Sequence, residues 1–116
     1  MIHIICPSRY KFDKKLLKEY ISDFLEKQNI SPSAILNIVF VGKRKMTAIA
    51  LEYKQERVAL PVLAFSYKED KLEENILGEV IMCYPQIILL AAERGKKVQD
   101  MLNQMAEHGV RNILQH

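Results

Sequence analysis

The most evident chemistry in this chain lies in its clustered cations. Lys43-Arg44-Lys45 run together, Lys54 and Arg57 follow closely, Arg94, Lys96 and Lys97 bracket Gly95, and Arg111 stands near His108. Ammonium and guanidinium groups gathered on one surface neutralise phosphates and release condensed counterions, so such a face binds RNA in a salt-dependent way. Candidate RNA contacts are therefore Lys43, Arg44, Lys54, Arg57, Lys96, Lys97 and Arg111. The plain alternative is scattered solvated charge, because Glu52, Glu56, Glu93 and Glu107 are interleaved with these cations and weaken the field. Tyr53 and Phe65 have rings able to stack on bases, yet both occur at periodic apolar positions that suit a core.

The remaining chemistry is sparse. Cys6 and Cys83 sit in apolar runs, as small reduced core side chains do, and the expectation is no disulfide. His3 reads as a strand residue and the five methionines as core filling. No Gly-rich phosphate loop, Ser-centred elbow or paired thiol motif is present. With 17 Lys+Arg against 14 Asp+Glu the chain is mildly basic at +3, which permits a polyanionic partner without requiring one. The apolar start is too short for a signal sequence or membrane span, so no membrane partner and a cytoplasmic location are expected.

The elements that must position these side chains follow from periodicity. A length of 116 residues suits one domain, 1–116, with a single core. Ile2–Ile5 is a β-branched run ended by Cys6-Pro7-Ser8, a first strand. Phe12 to Ile30 carries apolar residues at helical spacing, with Asp13 placed to cap. Ile35–Val41 reads as a buried strand, Lys43–Tyr53 as a helix and Leu60–Phe65 as a strand. Pro61 confines that last strand to an edge or to the residues after it. Tyr67–Asn75 is a polar loop and Ile76–Cys83 a fourth strand. A helix then begins near Pro85 and ends at Gly95, and another runs from about Lys97 to the C-terminus. The order β-α-β-α-β-β-α-α predicts an α+β fold, a mixed sheet of about four strands flanked by helices.

An ordered series of motifs then brings a family into view. Leu77-Gly78-Glu79-Val80-Ile81-Met82-Cys83 resembles the LGD(I/V)xIC strand of YbeY proteins. Asn37–Val41 resembles their second strand, Met46 to Tyr53-Lys54 a helix ending in Tyr-Arg, and Val62–Phe65 their VLSF strand. Glu93-Arg94-Gly95-Lys96 and Glu107-His108-Gly109 fall at the family's spacing. The series covers roughly two thirds of the chain, and no one piece decides it.

The resemblance implies a YbeY-like endoribonuclease, a hydrolase that matures the 3′ end of small-subunit rRNA during ribosome biogenesis by a metal-activated water. Its partners would be single-stranded rRNA and the small ribosomal subunit, and its cofactor one zinc ion. A second reading keeps the scaffold without the chemistry, as an RNA- or ribosome-binding assembly factor. The family's His-Gly-x-x-His-x-x-Gly-x-x-His motif holds the metal. Here its first histidine is His108, its second position is Asn112 and its glycine is Gln115, while the third histidine would fall after residue 116. The implied metal positions are therefore His108, Asn112 and His116, although in one continuous helix His116 stands about 12 Å along the axis from His108. Asparagine offers a neutral carbonyl, a poorer zinc ligand than imidazole. Lys54 replaces the family's arginine, keeping the charge but not the planar two-pronged grip, and is the implied catalytic residue. Ala59-Leu60-Pro61 and Glu79 stand where the family has Pro-Thr-Asp and Asp.

Overall fold

A computed structural model describes residues 1–67 and 75–115. Eight elements follow one another: β1 (Ile2–Ile5), α1 (Lys14–Lys27), β2 (Ile35–Val41), α2 (Lys43–Lys54), β3 (Val62–Ser66), β4 (Ile76–Cys83), α3 (Tyr84–Glu93) and α4 (Val98–Leu114). The strands form one mixed sheet in the order β1-β2-β4-β3. β1, β2 and β4 are parallel, and β3 pairs antiparallel with β4 at the edge. This is the expected mixed sheet of four strands flanked by helices.

Alternation along the strands divides the core in two. Leu36, Ile38 and Phe40 of β2 and Val80 and Met82 of β4 point to the face covered by α1, α3 and α4. Val41, Ile81, Cys83 and Leu63 point to the opposite face, where α2 lays Met46 and Ala50 upon them. Strands covered on both sides read as nearly continuous apolar runs, which is why β2 and β4 stood out in the sequence. α4 buries Met101, Leu102, Met105, Ala106, Gly109, Val110 and Ile113. Each fully buried Leu, Ile or Met there contributes roughly 2 kcal/mol of hydrophobic stabilisation.

Element ends show local chemistry at work. Asp13 caps α1, its carboxylate accepting from the Leu16 N–H at 2.9 Å, so the helix starts at Lys14 and leaves Phe12 to pack on Phe40 and Tyr84. The helix ends at Lys27, short of the expected Ile30, because Asn29 takes a left-handed conformation at φ 60°. β3 starts at Val62 because Pro61 has no N–H to offer, while its carbonyl still accepts from the Cys83 N–H at 2.9 Å. Gly95, at φ 62°, stops the chain after α3 and turns it into α4. Most of the expected Tyr67–Asn75 loop lies outside the described residues. Among the described residues no helix is long and apolar enough to cross a membrane. Cys6 and Cys83 are both free, and burial raises the Cys83 thiol above its ordinary pKa.

Candidate functional site

α4 crosses the sheet where β3 forms its edge, and one residue permits the close approach. A Cβ on Gly109 would stand 2.8 Å from Cγ1 and 3.2 Å from Cγ2 of Val80, and 3.3 Å from Cγ2 of Val62. Without a side chain there, α4 settles onto β4 and β3 together. The preceding residue, His108, is thereby carried to the rim of the β3 edge. His108, Asn112 and Gln115 follow at helical spacing on one exposed stripe of α4.

From the other face of the sheet the last residue of α2, Lys54, reaches the same edge. Gln55 caps α2 in a left-handed conformation at φ 56°, turning the chain back towards β3. The Gln86 side chain fastens this return by donating to the Ala59 carbonyl at 2.7 Å. The result is a cleft of about 520 Å³ lined by Lys54, His108, Asn112 and Gln115, over a floor of Leu60, Val62, Leu63 and Ala64. Apolar backing behind one cation, one imidazole and two amides suits a polar ligand that carries negative charge.

Lys54, His108 and Asn112 are therefore brought together from helices on opposite faces. His116 lies outside the described residues. Arg57 is exposed in the segment that links α2 to β3 and is not among the lining residues of the cleft. Arg111 points elsewhere: its Nε donates to Glu107 Oε2 at 3.1 Å, and its guanidinium sits 4.8 Å from the centre of the Phe24 ring. Lys97 caps the N-terminal end of α4, about 16 Å along the axis from His108. Lys96 beside it donates to Gln104 Oε1 at 2.6 Å. Lys43 and Arg44 start α2, at the end opposite Lys54, and line a different cleft. The seven cations thus occupy several surfaces and do not form one groove.

Glu107 and Tyr20 tie the flank of α4 to α1. The Tyr20 hydroxyl donates to Glu107 Oε1 at 2.9 Å. Burial pushes the Glu107 carboxyl upward, but the hydrogen bonds from Tyr20 and Arg111 outweigh it and hold the group below its ordinary value. The same bond, with burial, raises the Tyr20 phenol. Tyr53 is not a core residue; it is 61% exposed and meets Phe65 edge-on at 5.0 Å beside Lys54. Glu79 stands in β4 between Asn37 and Phe65, on the face that α2 covers, and is not part of the cleft lining. Gln115 joins the cleft lining as well, and its spacing of seven from His108 is the sequence signal that puts it on the same stripe.

Zinc can be tested against these donors. A catalytic zinc site takes about three imidazole, thiolate or carboxylate ligands and keeps an open position. Among the described residues, no three His, Cys, Asp or Glu side chains come together to hold a metal ion. The cleft offers one imidazole, on His108, and the neutral amides of Asn112 and Gln115. These residues do not by themselves fit the ion.

Comparison with known proteins gives a consistent relationship. The family model described as Endoribonuclease YbeY matches residues 7–115. An endoribonuclease YbeY of Dehalococcoides mccartyi is 31% identical over 97% of this chain and 78% of its own length. One from Thermobifida fusca is 30% identical over 84% of this chain and 66% of its own length. The solution structure of TM1509 from Thermotoga maritima superposes with a TM-score of 0.66, covering 95% of this chain and 69% of that one. At 20% identity that likeness concerns the fold.

Proposed function

The chain belongs to the YbeY endoribonuclease family, and from that premise we propose that it serves ribosome biogenesis by holding single-stranded small-subunit rRNA in the cleft at the β3 edge. The observation that carries the reading is the convergence of Lys54 and His108 on that cleft from opposite faces of the sheet. Lys54 supplies a point charge for a phosphodiester oxygen, and being an ammonium it constrains the phosphate's distance more than its orientation. His108, Asn112 and Gln115 supply hydrogen-bonding groups along a helical stripe, as a strand with exposed base edges and 2′-hydroxyls requires. Exposed Tyr53, held edge-on by Phe65, offers a stacking platform next to the phosphate contact. The cytoplasm is the compartment that this reading requires.

Hydrolysis by a metal-activated water is the family's chemistry, and the imidazole of His108 beside Lys54 favours keeping it as the second reading. It needs ligands in addition to those of the described residues, so no catalytic step is assigned to the cleft.

Two measurements separate the readings. Binding of a single-stranded oligoribonucleotide, followed by fluorescence anisotropy, is expected to weaken with salt and to survive a chelator. Replacing Lys54→Gln is expected to lower the slope of log K against log salt by about 0.7, the share of one phosphate contact on a single strand. Failure to bind RNA at low salt removes the proposal. Cleavage that appears with added zinc and vanishes in His108→Ala would establish the second reading in its place.

A further inference from the structure

A second cleft lies at the start of α2, and the topology explains why it is there. β1 and β2 are parallel neighbours, but the chain leaves them in opposite directions. After β1 it passes to α1 on one face of the sheet, and after β2 it passes to α2 on the other. Where adjacent parallel strands send their connections to opposite faces, a crevice opens outside their carboxyl ends, and ligands of α/β sheets bind in such crevices. This one measures about 580 Å³, and its lining includes Pro7 and Arg9 after β1 and Gly42 to Lys45 after β2.

The crevice carries charge of a single sign. Arg9, Lys43, Arg44 and Lys45 all line it, and among the described residues no carboxylate forms an ion pair with any of them. Arg9 is held in place: its guanidinium lies 4.8 Å from the centre of the buried Tyr10 ring, and its Nη2 donates to the Tyr10 hydroxyl at 3.4 Å. The three cations of α2 sit in its first turn, with no acidic residue among them and no side-chain cap on Gly42. That is the positive end of the helix, where cations are unfavourable and anions stabilise. An anionic ligand would relieve this repulsion. Along α2 the crevice is about 16 Å from Lys54, within reach of a short stretch of extended polynucleotide.

We infer that this crevice is a second phosphate site, which takes the backbone of the same RNA strand that the Lys54 cleft holds. The assignment of the ligand to RNA rests on the reading proposed above. Bound in both places, the strand follows α2 from one end to the other, and the two sites act as a bivalent grip.

The test uses the whole chain and a fluorescently labelled single-stranded oligoribonucleotide over a potassium chloride series. One variant combines Arg9→Gln, Lys43→Gln, Arg44→Gln and Lys45→Gln. A control combines Lys15→Gln and Lys18→Gln on exposed α1, and Lys54→Gln reports on the other cleft. All the replaced side chains are exposed, so every variant is expected to stay folded. The crevice variant is expected to melt at or slightly above the wild-type temperature, because three cations leave the positive end of α2. The crevice variant is expected to lose about tenfold or more in low-salt affinity and about 2 units of salt slope, while the control changes little. An unchanged slope in the crevice variant, with a lowered slope in Lys54→Gln, overturns the inference and leaves the RNA reading standing. A loss per removed charge that is the same in the crevice variant (four charges) and the control (two charges) also overturns it, since net charge alone would then explain both. If the wild type binds no RNA, the RNA reading fails and the backbone assignment with it. Titration with inorganic phosphate, observed at the Gly42 and Lys43 amide resonances, then distinguishes a free-phosphate site from a surface that binds no phosphate.

Discussion

The two faces of α4 make different demands on sequence. The inner face is a packed surface, with Met101, Leu102, Ala106 and Val110 fully buried and Gly109 cut down to let the helix touch Val80 and Val62. The outer stripe of His108, Asn112 and Gln115 is exposed and bears one imidazole and two amides. Packing and ligation are thus separable on one helix: the inner face is set by volume, the outer by donor chemistry. Exchanging a side chain on the outer stripe leaves the inner face in place, so scaffold and cleft can persist while the donor set changes.

Breaking the inner face should give the largest effect. Met101→Ala empties a fully buried site on the inner face of α4, and a loss of about 2–5 kcal/mol is expected in urea unfolding. Gly109→Val tests the contact that positions His108. Its added methyls would meet Val80 and Val62, with an expected cost of about 1–3 kcal/mol and weaker RNA binding in the protein that remains folded. Retention of wild-type stability would show that α4 does not need this close approach.

Changing the outer stripe should sharpen the contrast. Asn112→His places a second imidazole one turn from His108 on an exposed surface, so the melting temperature is expected to hold while zinc affinity rises about tenfold or more. A competition titration against a chromogenic chelator measures this. An unchanged affinity would mean that residues 108 and 112 do not share an ion in this cleft.

A smaller effect is expected on the flank of α4, from Glu107→Gln. The folded carboxyl lies below its ordinary value, so its contribution is fully present above the unfolded pKa and is lost as pH falls through the folded one. The variant should be less stable than wild type at neutral pH, by under about 1 kcal/mol for so exposed a pair, and the difference should close in acid. Thermal melts across pH measure it; a difference independent of pH would remove the electrostatic explanation.

Much of the scaffold was legible because it depends on local patterns. The β-branched runs of β2 and β4 end at Gly42 and at Tyr84-Pro85, and their limits agree with expectation. Asp13 announces the start of α1 by its type, and Asn29, a type that tolerates the left-handed conformation, opens the Asn29-Ile30-Ser31-Pro32-Ser33 run that breaks the chain after it. The grouping of cations was harder to read. Lys43, Lys54, Lys97 and Arg111 look like one basic set along the chain, yet they sit at different helix ends and flanks. Their separation follows from β4 inserting between β2 and β3, a long-range pairing that carries β3 to the edge and under α4. Arg9 carries no local signal either: it meets the α2 cations only because the chain leaves β1 and β2 towards opposite faces of the sheet.

The most direct test of the central claim is a salt series of single-stranded RNA binding, run with and without a chelator. The account predicts salt-sensitive binding that is indifferent to the chelator and weaker in Lys54→Gln and His108→Ala. Absence of binding at low salt, or binding that disappears with the chelator, would contradict it.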